Sequence, residues 1–83
     1  MSYEAINWAW RQDVTPDAKL VLLVLADHAD VEWSCFASPA WISRKTGQGE
    51  RTVRRLLEAL ETSGAVRRDR TSDRVILGEG VAR

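Results

Sequence analysis

Cysteine and histidine are scarce in this sequence, since each occurs once among its 83 residues. With Cys35 alone, no disulfide can form within the chain, which is typical of proteins from a reducing compartment such as the cytoplasm. A lone His28 and a lone Cys35 do not make a zinc site, so we predict no metal and no cofactor. No nucleophile–base pair, glycine-rich phosphate loop or supported motif of paired carboxylates is present, and we therefore predict that the protein is not an enzyme.

Long apolar runs are also missing. The longest nearly apolar run covers residues 20–26, far fewer than the roughly 20 residues that span a bilayer. The N-terminus shows no basic region followed by an apolar block, so no signal peptide is expected. We predict a cytoplasmic protein, associated with the nucleoid and without a membrane partner. The length predicts one small domain, residues 1–83, and a hydrophobic content of 45% predicts that this domain is folded.

Net charge is absent as well, because 12 basic residues balance 12 acidic ones. The balance hides an asymmetry along the chain. Residues 1–40 carry two basic and six acidic side chains, a net charge of −4, whereas residues 41–74 carry nine and five, a net charge of +4. The basic half predicts an anionic partner, and the acidic N-terminal half is a candidate surface for a protein partner.

Two helices are predicted from their starting signals. In TPDAKLVLLVLADHA, Thr15 is the predicted N-cap and Pro16 suits the first helical position. This helix is apolar nearly all round, so it should be the central one. Ser38 followed by Pro39 starts a second helix, PAWISRKTG, which should end at Gly47.

The remaining elements follow from periodicity. A helix from Glu50 to Ser63 should bury one face, formed by Val53, Leu56, Leu57 and Leu60. Residues 66–69 and 74–77 are predicted strands of a hairpin, and residues 34–37 a short extended segment. Residues 1–13 contain INWAW and are either a short strand or a helical turn that places Trp8 and Trp10 on the core. Four tryptophans are many for this length; core or dimer packing is favoured over stacking on single-stranded nucleic acid.

The order of these elements predicts a winged helix-turn-helix, mainly α with a small β-hairpin. The helix-turn-helix covers about residues 39–63 and the wing about residues 65–77, followed by a loose tail, 78–83. In ISRKTGQG, a small residue (Ser43) lets two helices cross closely and a glycine (Gly47) lets the chain reverse.

Arginine spacing in the third helix points to a partner. Arg51 and Arg55 are four residues apart on the face opposite the apolar stripe. Like charges at this spacing destabilise a helix by roughly 0.2–0.5 kcal/mol, and an external anion would explain them. The plainer alternative is a solvated face, in which Arg54 or Arg55 pairs with Glu58 along the helix.

The candidate DNA contacts are basic or polar residues of the helix-turn-helix and the hairpin. Arginine can pair with guanine in the major groove, while the hairpin arginines would contact phosphates. Glu50 could accept a hydrogen bond from cytosine or could stabilise the first turn of its helix. The predicted set is Arg44, Lys45, Gln48, Glu50, Arg51, Thr52, Arg54, Arg55, Arg67, Arg68, Arg70 and Arg74.

Residues 8–78 resemble the winged helix-turn-helix domains of actinobacterial and phage regulators and of the N-terminal parts of phage replication proteins. The matching stretches are WAWRQ, AKLVLLVLADHAD, CFASPAWISRKTG and ERTVRRLLEALETSGAVRR. The resemblance implies that Arg51, Thr52, Arg54 and Arg55 lie on the recognition helix. Two positions depart from the family: Gly49 stands where a capping serine is common, and Gln48 where an apolar residue is common.

Sequence-specific binding of double-stranded DNA is the predicted function, in a transcriptional regulator of a phage or mobile element. One such domain reads few base pairs, so we expect a homodimer on two half-sites. Two alternatives stay open: the DNA-binding module of a replication initiator, and a winged-helix module that binds proteins.

Overall fold

Four helices and three short strands make up residues 3–78, the part of the chain that the computed structural model describes. In order they are α1 (Tyr3–Arg11), α2 (Pro16–Asp27), β1 (Ser34–Phe36), α3 (Pro39–Thr46), α4 (Glu50–Thr62), β2 (Val66–Asp69) and β3 (Arg74–Leu77). The predicted winged helix-turn-helix is confirmed, with both hairpin strands at their predicted residues. The predicted loose tail, apart from Gly78, lies outside the described residues.

The N-terminal segment, left open between strand and helix, is the helix α1. Ala5 and Ala9 are fully buried, and the half-buried Trp8 meets Trp33 edge to face, with ring centroids 5.9 Å apart. The expectation that Trp10 also lies on the core was wrong, since Trp10 is 61% exposed. Residues two apart in a helix point to different sides, so Trp8 and Trp10 cannot both face inward.

The helix α2 occupies the centre, in contact with α1, α3, α4 and β3. Val21, Leu22 and Leu25 on it are fully buried. Thr15 takes the predicted N-cap position but makes no capping hydrogen bond. Its hydroxyl donates to the Asp17 carboxylate instead, and that carboxylate accepts the backbone N–H of Ala18.

The strands form one antiparallel sheet in the order β1-β3-β2. Cys35 lies opposite Val75, and Val66 opposite Leu77. Residues directly opposite each other share a face of the sheet, and these four are all buried. The sheet therefore closes the core from one side, with the helices on the other.

Asp30 organises the loop that leads into β1. Its carboxylate accepts the backbone N–H groups of Glu32 and Ser34 and the Ser34 hydroxyl. Partial burial by itself would raise the pKa of Asp30, but these hydrogen bonds and the charge of Arg74 outweigh it and hold the pKa below its ordinary value. The loop accommodates Trp33 at a φ of 63°, which brings its ring to Trp8.

Candidate nucleic-acid interface

The turn between α3 and α4 is fixed by hydrogen bonds at both ends. Ser38 caps α3, accepting the backbone N–H of Trp41 at 3.1 Å. At the other end Gly47 adopts a left-handed φ of 79°, a conformation that glycine takes without steric cost. The Ser43 hydroxyl then donates to the carbonyl of Gln48 at 2.6 Å. The predicted cap and turn residues thus hold α4 at a set angle to α3.

Gln48 points its side chain into the protein. Its Nε2 donates to the carbonyl of Asp17 at 3.1 Å, which ties the turn to the first turn of α2. The Gln48 Oε1 is buried and has no hydrogen-bond partner among residues 3–78. At a position where an apolar residue is common among the resembling domains, this chain packs an amide inward. The Gln48 side chain, which was predicted to contact DNA, is therefore already hydrogen-bonded within the protein.

The apolar stripe of α4 is buried as predicted. Val53, Leu56, Leu57 and Leu60 are at most 4% exposed. The opposite side of the helix exposes Arg51, Arg55 and Glu58, while Thr52 is half-buried. The helix α4 therefore packs against the core with one face and exposes arginine side chains on the other.

Arg54 pairs with Glu50, the residue one helical turn before it. Arg54 Nη2 lies 2.6 Å from Glu50 Oε1, and both side chains are about half exposed. Within residues 3–78, neither Arg54 nor Arg55 forms an ion pair with Glu58, although the spacing would allow one. Gly49 at the N-cap supplies no side-chain hydrogen bond, so Glu50 is the first residue of α4 that can bring charge to the helix end.

Arg51 and Arg55 form no salt bridge or side-chain hydrogen bond in the described part of the chain. Arg55 lies near enough to the start of α2 for its charge to act on Asp17. The pKa of Asp17 is lowered mainly by the hydrogen bond from Thr15, with Arg55 adding a smaller effect. The two arginines that the sequence places on one exposed face are thus available to an external anion.

Arg68 and Arg70 of the wing both form salt bridges with Glu61 on α4. We call these three residues the Glu61 clamp. Arg68 Nη1 lies 3.3 Å and Arg70 Nη2 lies 2.8 Å from Glu61 Oε1. The Arg68 side chain is only 12% exposed, whereas that of Arg70 is 60% exposed. The Glu61 clamp ties the wing to α4 and turns Arg68 away from solvent.

The other two wing arginines differ from each other. Arg74 on β3 reaches across the sheet, with Nη2 3.5 Å from Glu32 Oε2 and 3.3 Å from the Ser34 hydroxyl oxygen. Arg67 on β2 is exposed and has no polar partner within residues 3–78. Within residues 3–78, Arg67 is therefore the wing arginine without an acidic partner.

The end of α3 adds two more exposed cations. Arg44 and Lys45 lie in its last turn, and Lys45 Nζ stands 5.6 Å from the ring centroid of Trp41. Among the described residues neither forms a salt bridge to a carboxylate. Within residues 3–78, five cations of the predicted set thus have no carboxylate partner: Arg44, Lys45, Arg51, Arg55 and Arg67.

No metal or membrane feature accompanies this surface in residues 3–78. That part of the chain has no group of three or more His, Cys, Asp or Glu side chains arranged to hold a metal ion. None of its helices combines the length and apolar character that a membrane crossing demands.

Comparison with known families gives one match. The model of a family described as a helix-turn-helix domain matches residues 13–66, about two thirds of the chain. The matched stretch contains α2, β1, α3 and α4 and ends at the first residue of β2. Neither the curated proteins nor the solved structures contain a match to this chain.

Proposed function

Because the chain belongs to the helix-turn-helix domain family, we propose that it binds double-stranded DNA sequence-specifically, with α4 in the major groove. One observation carries the proposal: Arg51 and Arg55 are unpaired within residues 3–78, on the exposed face of the helix that follows the turn. Their repulsion destabilises α4 slightly. An anionic partner bound between the two arginines would replace this repulsion with attraction.

Base contacts are assigned to α4. Arg51 and Arg55 are suited to bidentate hydrogen bonds with guanine O6 and N7. Thr52 lies on the flank of this face, half-buried, and can reach a base or a phosphate from the same helix. Glu50 and Arg54 form a mutual pair, so a cytosine contact by Glu50 would require that pair to rearrange.

Phosphate contacts are assigned to the elements on either side of α4. Arg44 and Lys45 at the end of α3 would bind one stretch of backbone, and Arg67 on the wing another. Arg70 keeps 60% of its side chain exposed, so it can approach DNA while it stays in the Glu61 clamp. Such contacts position the domain and confer strong salt dependence, without reading sequence.

The biological role that we propose is regulation of transcription, at the nucleoid, in a phage or another mobile element. We propose further that two copies act together, because one recognition helix reads only a few base pairs. The resemblance to the N-terminal parts of phage replication proteins makes a replication initiator the second candidate.

Selection of bound duplexes from a random pool at fixed salt tests the proposal. Enrichment of one motif would support sequence-specific readout, and a palindromic motif would support two half-sites. If no motif is enriched and no duplex binds at low salt, DNA binding is rejected and the protein-interaction alternative gains support, with the acidic N-terminal half as its candidate surface.

The combined change Arg51→Ala and Arg55→Ala then tests the helix assignment. Each bidentate contact is worth about 1–3 kcal/mol, so each loss should weaken binding to the selected motif about 5- to 150-fold. Arg11→Ala is the matched control, since Arg11 is an exposed arginine at the end of α1. Circular dichroism should show the fold intact in all variants. Unchanged affinity of the double variant would refute the role of α4.

A further inference from the structure

An exposed apolar groove runs along α1 and α2, and Lys45 is the one residue that it shares with the proposed DNA surface. Ile6, Trp10, Leu23 and Val24 line its floor and wall; we call it the α1–α2 groove. Trp10 is 61% exposed, and Leu20, one helical turn before Val24, is 40% exposed. The apolar side chains are therefore contiguous rather than scattered.

Helical spacing extends the apolar surface along α1. Tyr3, Ile6 and Trp10 follow one another by three and four residues, so they share one side of that helix. Tyr3 is 76% exposed. In soluble proteins a contiguous exposed apolar surface commonly marks an interaction site, whereas apolar residues exposed singly do not.

Charge at the rim indicates which partner fits. Asp27 and Lys45 both line the groove and carry opposite charges. Within residues 3–78, the one ion-pair contact of Asp27 is with His28 Nδ1, at 3.8 Å, and Lys45 Nζ lies 5.6 Å from the ring centroid of Trp41. Neither charge is paired with a Lys, Arg, Asp or Glu side chain there. A partner with a cation and an anion in the reverse order would complement them.

We propose that the partner is a second copy of this chain, docked groove to groove about a two-fold axis. Such an axis makes any surface meet itself, so a residue that contacts another is contacted by it in return. It would place Asp27 against the partner's Lys45 and Lys45 against the partner's Asp27. The exposed Trp10, standing at one side of the groove, would enter the groove of the other copy.

This arrangement leaves α4 and the wing free for DNA. In the dimer Lys45 would pair with Asp27 of the other copy, and Arg44 would keep the phosphate contact at the end of α3. The groove is lined by residues of α1, α2 and α3, together with the α2 cap residue His28, and by none from α4 or the wing. The inference gives a surface to the dimer of the proposed function, but its test needs no DNA. A failure of DNA binding and a failure of this interface therefore give separate results.

Sedimentation velocity on the full chain, from about 1 μM to about 1 mM protein, measures the association. The wild type should move from monomer to dimer over this range. Asp27→Lys should abolish the dimer because it sets two lysines against each other at both contacts, and Lys45→Asp should do the same with aspartates. Mixing these two variants in equal amounts should restore a dimer, since each then offers the charge that the other lacks.

A matched pair of apolar changes completes the test. Trp10→Ala should shift the midpoint of dimerisation to at least tenfold higher concentration, whereas Val31→Ala, at a residue 91% exposed in the loop after α2, should not shift it. Far-ultraviolet circular dichroism checks that each variant is folded. A wild type that stays monomeric overturns the proposal. So does dimerisation that the charge variants leave unchanged, or a mixture of folded variants that fails to form a dimer.

Discussion

Arg67 and Arg68 are neighbours on β2, yet replacing them should affect different properties: DNA binding for Arg67 and stability of the fold for Arg68. Arg67 is exposed and unpaired within residues 3–78, whereas the Arg68 side chain is 12% exposed and bound to Glu61. We predict that Arg67→Ala weakens binding to all duplexes and reduces its salt dependence. Arg68→Ala should leave the salt dependence unchanged and lower the stability of the fold instead.

The expected size of each effect follows from these environments. A phosphate contact contributes about 0.9 to the slope of log affinity against log salt concentration. Loss of the Arg67 contact should therefore flatten the slope by about 0.9, which is about 3.5-fold in affinity over a fourfold rise in salt. Arg68→Ala removes a charged hydrogen bond in a mostly buried position, which should lower the free energy of unfolding by about 1–3 kcal/mol. Glu61 keeps Arg70 as a partner, which limits the loss.

Fluorescence anisotropy with a labelled duplex at several salt concentrations measures the slopes, and urea unfolding measures the stabilities. Arg67→Lys is the control, because it keeps the cation and should keep the slope. If Arg68→Ala flattens the slope as much as Arg67→Ala does, Arg68 contacts phosphate in the complex. The division of the wing into clamped and free arginines would then be refuted.

Four further predictions concern stability and reactivity. Leu57→Ala should lower the free energy of unfolding in urea by about 2–5 kcal/mol, since Leu57 is fully buried; a loss near zero would contradict the assigned core face of α4. The pKa of Asp30 is lower in the folded protein than its ordinary value of 3.8, so its carboxylate stabilises the fold above that pH and loses this effect as the pH falls through the folded pKa. The difference in free energy of unfolding between wild type and Asp30→Ala should therefore become smaller in acid. A difference that stays constant would be evidence against a stabilising Asp30 carboxylate. Gly78→Ala should destabilise by about 1 kcal/mol or more, because φ is 48° and the new Cβ would lie 2.7 Å from Trp8 Cε2; an unchanged melting temperature would show that this packing is wrong. Burial raises the pKa of Cys35 to about 11, so iodoacetamide at pH 8 should alkylate it far more slowly than a free thiol, and fast alkylation would disprove its burial.

Local signals were sufficient for most of the fold. Ser38 and Gly47 mark the two ends of α3 through a hydroxyl cap and a left-handed glycine, and both effects act within a few residues. The strands β2 and β3 lie where alternation and a polar turn predicted them. The helix α1 was ambiguous because INWAW has apolar residues on more than one side, and its packing on α2 decides which of them are buried.

The candidate site was less predictable because its side chains meet across the fold. Gln48 reaches Asp17, 31 residues earlier, and no local pattern reports such a contact. Glu61 meets Arg68 and Arg70 only after the chain reverses into the wing. Along α4 a local rule does apply: an acidic residue four positions before a basic one is favoured over the reverse order. That rule explains why Arg54 pairs with Glu50 and not with Glu58.

The three arginines of α4 are therefore of two kinds, although they stand within five residues. Arg54 is held by Glu50 at 2.6 Å, and it contributes little net field at the helix surface. Arg51 and Arg55 have no such partner in residues 3–78: Glu50 is taken by Arg54 and Glu61 by the wing, and the exposed Glu58 on the same side of α4 pairs with neither of them. The formal charge of zero is thus a poor guide to the field that a duplex would meet. What matters is which cations the fold leaves unpaired, and on α4 these are the two that face away from the core.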